Sequence, residues 1–199
     1  IKLLVVGASQ RPNSLSARVA EAVKAMVEDQ QLAGPEDVRM VELSDYREAL
    51  WDDDPAPAAI EARNVLREAA AWCDAVVYVV PEWSGMAPPL AKNFFLHMDG
   101  MQLAHKPGLL VAVSSGTGGA YPIFELRGSS YKNTKICWIP EHVILRAGTL
   151  EALESGEFAG QKIAQRLMTK LQILFHYARA LNPQREALRA LSKAYPYGM

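Results

Sequence analysis

Cysteine is scarce in this chain of 199 residues: Cys73 and Cys137 are the only two, and both lie in apolar surroundings without metal-ligand spacing. Two reduced, buried thiols are expected, which fits a reducing cytoplasmic setting. Charge of one sign is missing too. With 21 Lys and Arg against 22 Asp and Glu, the formal net charge of -1 gives no electrostatic case for a nucleic-acid partner. No stretch approaches the roughly 20 apolar residues of a spanning helix, and the N-terminus does not read as a signal peptide, so no membrane partner is expected. The four histidines, His97, His105, His142 and His176, share no metal-site spacing with carboxylates, and no metal is expected. The chain also lacks the Gly-Lys-Ser/Thr ending of a Walker loop and the glycine partners of a dinucleotide turn.

What is present is an ordinary globular composition, 50% hydrophobic and 22% charged, at a length suited to one α/β domain. Five apolar runs read as strands: Lys2 to Val6, Val38 to Leu43, Ala75 to Val80, Gly108 to Ser114 and Ile136 to Leu145. Helical periodicity covers Ser14 to Gln30, Pro57 to Trp72, Pro88 to Met98, Gly119 to Lys132 and Glu157 to Leu181. In the last of these, Phe158, Ile163, Leu167, Leu171, Leu174, Phe175 and Ala178 recur at the spacing of one buried face. Near-continuous Val, Ile and Leu in the third and fourth runs predict strands buried on both sides, and the alternation of types predicts parallel pairing. A doubly wound, three-layer sandwich follows. It forms one domain over residues 1–181, with a C-terminal tail over 182–199 whose Tyr195-Pro196-Tyr197 carries no readable role.

Ligands of such sheets bind beyond the carboxyl ends of the strands, so the loops after strands matter most. After the first strand comes Gly7-Ala8-Ser9-Gln10-Arg11-Pro12-Asn13-Ser14-Leu15-Ser16, opening a helix. Unpaired N–H groups and the positive end of the helix dipole suit a phosphate there, although Ser14 or Asn13 serving only as a helix cap explains the same residues. After the third strand, Pro81-Glu82-Trp83-Ser84-Gly85 offers an aromatic that a flat ligand would cover, or a rigid turn. After the fourth, Ser114-Ser115-Gly116-Thr117-Gly118-Gly119 lets the backbone approach a ligand and donate N–H groups. Three such loops at one sheet edge suit a phosphorylated flat heterocycle. Trp51, in an acidic and solvated loop, is a further candidate to reach it.

These residues resemble the NAD(P)H-dependent FMN reductases of flavodoxin-like fold. The family's Gly-Ser-x-Arg-x-x-Ser is similar to Ala8-Ser9-Gln10-Arg11-Pro12-Asn13-Ser14, its Pro-Glu-Tyr-Asn-Gly to Pro81-Glu82-Trp83-Ser84-Gly85, and its Lys-Pro to Lys106-Pro107, over about residues 1 to 140. Trp83 replaces the usual Tyr, Ser84 the usual Asn, and Leu96 a common Asp. The resemblance implies a five-stranded parallel sheet of order 2-1-3-4-5. It implies that Ser9, Arg11, Ser14 and Ser16 bind the FMN phosphate, that Pro81, Glu82, Trp83, Ser84 and Gly85 flank the ring and ribityl chain, and that Ser115 and Gly116 lie near the ring's polar edge. The implied activity is hydride transfer from NADPH or NADH through FMN to free flavin, a quinone or a similar small-molecule acceptor. No catalytic side chain is needed for it. A flavodoxin-type electron carrier is the alternative, though such carriers are strongly acidic. Arg127 and Lys132 are candidates for the donor's 2′-phosphate. A homodimer or homotetramer is also implied, with Leu90, Phe94, Phe95 and Met98 offering either subunit contact or core.

Overall fold

The computed structural model describes residues 1–195, apart from the side chains of 150 and 154, so Pro196 and Tyr197 lie outside the described residues. Its centre is set by strands with no polar side chain to solvate. Strands β1 (Leu3–Gly7), β3 (Ala75–Pro81) and β4 (Pro107–Val113) are buried at every position. A strand covered on both faces needs helices above and below, and parallel neighbours need crossovers long enough to supply them. With β2 (Val38–Glu42) and β5 (Cys137–Leu145) the sheet is five-stranded, all parallel and ordered β2-β1-β3-β4-β5. This is the flavodoxin-like order the resemblance implies.

One helical layer is α1 (Leu15–Asp29) and α6 (Lys162–Leu181), whose Val19, Val23, Leu167, Leu171 and Phe175 pack on Leu3, Val5, Val77 and Val111. The other is α2 (Pro57–Trp72), α3 (Pro89–Leu96) and α4 (Ala120–Ser129), which cover Leu4, Val6, Tyr78 and Leu110. Leu90, Phe94, Phe95 and Met98 belong to this core, each under a tenth exposed. Of the two readings of these four, the core is the one the structure bears out: they pack around Tyr78, whose hydroxyl donates to the Ala91 carbonyl at 2.6 Å among the rings of Phe94 and Phe95. The two thiols are free, Cys73 buried and Cys137 half-buried.

Two helices were not expected. The segment read as one helix from Glu157 instead holds a 3-10 turn, Phe158–Gly160, before α6, and α5 (Ala147–Ser155) precedes that turn. Beyond α6, the stretch read as a tail turns through Asn182–Gln184 into α7 (Arg185–Ser192). Helix α7 buries no residue and is held by polar contacts. Arg185 pairs with Asp74 at 2.8 Å, and His105 Nε2 lies 2.8 Å from the Ser192 hydroxyl. Nearby, the buried Lys106 donates to the Ala70 and Ala71 carbonyls at 2.7 and 2.9 Å, neutralising the negative end of α2.

Two carboxylates have opposite environments. Burial alone would raise Asp74, but the Lys2 N–H and the Arg185 guanidinium outweigh it and hold the group below the ordinary carboxylate range. Stability from this pair is complete near neutrality and is lost as acid protonates Asp74. Arg185→Ala should therefore cost about 1–3 kcal/mol at pH 7, and the gap to the parent should narrow near pH 3, as chemical denaturation will show. Glu42 lies against the Gly7 backbone, where a Cβ would collide with its carboxylate, and among the described residues neither of its oxygens has a hydrogen-bond partner. Burial raises its pKa to about 7, with Asp45 and Glu21 adding repulsion. The folded state thus keeps a proton that the unfolded chain releases, so stability falls as pH rises from 4.5 toward 7. Glu42→Gln should stabilise the fold at pH 8 but not at pH 4, by about 1 kcal/mol once solvent screening is allowed for, read as a rise in melting temperature at the higher pH alone.

Candidate functional site

Because all five strands run the same way, the turns after β1, β3 and β4 reach one rim of the sheet. A cleft of about 180 Å³ opens there, lined by Ser9, Arg11, Ser14, Ser16, Pro81, Glu82, Trp83 and Ser115, together with Leu15 and Val113. Eight of the eleven residues picked from the sequence thus share one cleft. Ser84, Gly85 and Gly116 are not in its lining. Ser84 and Gly85 form the corner of a tight turn with φ of 50° and 76°, closed by paired Trp83 and Met86 backbone hydrogen bonds of 2.9 Å. That turn holds Trp83 in place, and positive φ at both corners suits a glycine at the second. Gly116 stands exposed in the third loop, its N–H donating to the Ser114 hydroxyl at 3.3 Å.

The first loop has two hydroxyls with internal work and one without. Ser9 Oγ accepts the Arg11 N–H at 3.1 Å, and Ser14 Oγ accepts the Ala17 N–H at 3.1 Å, capping α1. Ser16 is only 1% exposed, yet its hydroxyl has no hydrogen-bond partner among the described residues. A buried hydroxyl left unpaired is costly unless something else supplies the partner. It lies in the first turn of α1, where backbone N–H groups precede any intrahelical acceptor. This donor set fits a phosphate group. The Arg11 guanidinium, exposed on its outer side, lies 4.6 Å from the Trp83 ring centroid and so ties the first loop to the second.

The loops are braced against one another and against the helices beside them. One oxygen of Glu82 accepts the Gly119 N–H at 2.6 Å, holding the third loop at the start of α4. Gln10 accepts the Leu90 N–H at 3.4 Å, and Glu125 accepts the Ala87 N–H at 2.8 Å while pairing with Lys92 at 2.7 Å. Arg146, directly after β5, donates to the Thr117 and Gly118 carbonyls at 2.7 and 2.9 Å. Sequence reasoning missed Arg146 because it stopped at the loop after the fourth strand; the same rule extended to the fifth would have found it.

Three further candidate residues stand away from this cleft. Trp51 does not reach this cleft; its backbone N–H donates to the Asn93 side-chain oxygen at 2.7 Å, and the residue lines a separate cavity of about 660 Å³ with Phe95, Leu96 and Met98. That cavity is larger, but it lies between α3 and the end of α4, away from the rim where the polar loops converge. Arg127 is committed to the Ile139 and Glu141 carbonyls at 2.6 and 2.8 Å, and Lys132 lines the larger cavity. Among the described residues no helix is long and apolar enough to cross a membrane, and no group of three His, Cys, Asp or Glu side chains could hold a metal.

Comparison with known proteins bears on this geometry. The apo form of an NADH:FMN oxidoreductase, EMOB, superposes with a TM-score of 0.65 at 17% identity, covering 90% of this chain and 89% of that one. FerB, a flavoenzyme NAD(P)H:(acceptor) oxidoreductase from Paracoccus denitrificans, gives 0.66 at 17% identity over 90% and 98% of the two chains. The azoreductase AzrA gives 0.60 at 15% identity over 85% and 100%. At these identities the likeness is one of fold. No curated protein sequence matches the chain. A family model described as NADPH-dependent FMN reductase matches residues 1–149, so with its parallel sheet and its loops at one rim this chain belongs to that family.

Proposed function

We propose that the chain is an oxidoreductase that binds FMN in the cleft after β1, β3 and β4 and carries hydride from NADPH or NADH to a small acceptor such as free flavin or a quinone. The observation that carries this reading is the unpaired, buried Ser16 hydroxyl in the same cleft as Arg11, Trp83 and Ser115. Bound FMN supplies the acceptance and release of hydride, and no protein acid, base or nucleophile is required. Ser9, Ser14, Ser16 and Arg11 hold the phosphate, with charge-assisted donation from the guanidinium. Trp83 flanks the ring. The exposed Ser115 and Gly116 stand at the ring's polar edge, where N–H donors favour negative charge. Glu82, which lines the cleft beside Trp83, and Arg146, which does not, keep the third loop in shape from either side. Exposed Met86, Tyr121 and Phe124, beside the aromatic turn and on α4, form the face that a second copy of the chain covers.

The purified protein should be yellow or become so with FMN, and anaerobic NADPH or NADH should bleach its visible absorbance. A colourless protein that FMN does not reconstitute defeats the reading, and a yellow one that neither donor bleaches makes it an electron carrier. Arg11→Ala should weaken FMN about tenfold or more in a fluorescence titration, consistent with about 1.5–3 kcal/mol for a charge-assisted contact.

The two helix-terminal serines separate binding from folding. Ser14→Ala removes a cap as well as a phosphate donor and should lower stability by about 1 kcal/mol. Ser16→Ala removes a hydroxyl with no protein partner, so the FMN-free protein should melt no lower than the parent while FMN binding weakens. Equal FMN affinity in Ser16→Ala and the parent would remove Ser16 from the site.

A further inference from the structure

The free edge of β5 carries a feature that the flavin cleft does not use. Among the described residues strand β5 is paired only with β4, and between its open side and α6 lies a hollow of about 260 Å³ lined by Glu141, His142, Arg146, Ile163, Arg166 and Lys170, among others. Its charge is one-sided. Three cations face a single carboxylate, and Glu141 is already paired with Lys170 at 2.7 Å. Arg127 adds a fourth positive group from behind through its bonds to the Ile139 and Glu141 carbonyls. Arg166 is exposed and makes no hydrogen bond or ion pair among the described residues. His142 registers the excess. Burial pushes its pKa below the ordinary imidazole value, and Arg127, Arg166 and Lys170 push the same way against the opposing Glu141. The field in the hollow is therefore positive, and an anion entering it is favoured by Arg146, Arg166 and Lys170 and opposed by Glu141.

Position relates this hollow to the flavin cleft. Arg146 links the two: its side chain lines the hollow while its Nε holds the Thr117 and Gly118 carbonyls of the third loop. From Arg146 back to Glu141 the chain runs five residues down the strand, roughly 17 Å at about 3.3 Å per residue. That is the scale of a dinucleotide extended from the sheet rim.

We propose that this hollow receives the 2′-phosphate on the adenosine end of the nicotinamide donor, and so makes NADPH the preferred reductant. The proposal rests on the flavin reading of the neighbouring cleft. Sites that favour NADH place a free carboxylate on the ribose 2′-hydroxyl, whereas an arginine there accommodates a 2′-phosphate. Here the one carboxylate is tied to Lys170 and surrounded by cations. Arg166 offers a planar fork suited to a phosphate monoester. The pyrophosphate, which both donors share, does not need cations this far from the rim.

The test combines a titration without turnover and a kinetic comparison. The purified protein is titrated calorimetrically with 2′,5′-ADP and with 5′-AMP, and initial rates are measured with NADPH and NADH for the parent, Arg166→Ala, and Arg179→Ala as a control toward the far end of α6. The parent should bind 2′,5′-ADP at least tenfold more tightly than 5′-AMP. In Arg166→Ala that preference should be lost, and the KM for NADPH should rise about tenfold relative to that for NADH, with Arg179→Ala resembling the parent. Equal binding of the two nucleotides, an unchanged KM ratio in Arg166→Ala, or the same ratio change in Arg179→Ala would overturn the assignment. Equal losses with both donors would overturn it as well, since they would mark a pyrophosphate contact. The two readings fail separately: a protein that binds 2′,5′-ADP through Arg166 but is reduced by neither donor keeps this site and loses the proposed activity. One reduced equally well by both donors, with no nucleotide preference, keeps the activity and loses this site.

Discussion

The parallel pairing of three wholly buried strands is the constraint on which the rest of the molecule depends. Leu3 to Val6, Ala75 to Val80 and Leu109 to Ala112 are inaccessible to solvent, so each must be covered on both faces. Parallel neighbours can be connected only through crossovers that supply such cover. Once that is satisfied, every strand ends at the same rim. Polar loops that are far apart in sequence then have nowhere else to go, and Ser9, Trp83 and Ser115 meet as a consequence of strand direction.

Meeting at a rim does not by itself make a site, because loops are costly to order. Here the ordering is done by side chains that bond to the backbone of other loops: Glu82 to Gly119, Arg146 to the carbonyls of Thr117 and Gly118, Gln10 to Leu90, and Arg11 over the Trp83 ring. Each contact spans two post-strand loops or joins a loop to the helix of another. Part of the conformational entropy that a ligand would otherwise have to offset is thereby lost on folding.

Much of this was legible in the sequence because its causes are local. Continuous Val and Leu mark β3 and β4, Pro57 at the first helical position marks the start of α2, and the period of α6 is plain in its apolar residues. What was not legible depends on contacts distant in sequence. Helix α7 has no apolar face in the core and exists against Asp74, 111 residues away. Trp51 was drawn away from the rim by Asn93, 42 residues on. Periodicity could show that Leu90 and Phe94 share a face of α3, but not whether that face meets its own sheet or another subunit. The unsatisfied Ser16 hydroxyl was visible only in three dimensions, since every serine of the loop reads alike in one.

The rim opposite the cleft tells a complementary story. The amino ends of the strands are where Lys106 closes α2, where Asp74 receives Arg185, and where His105 meets Ser192. Long-range polar anchorage and ligand-facing loops thus occupy opposite ends of the same strands. Such separation gives the fold room to diverge. Loop residues at one end can be exchanged for a different acceptor or donor without loosening the fastening at the other, so new specificity can accumulate here with little loss of the folded state.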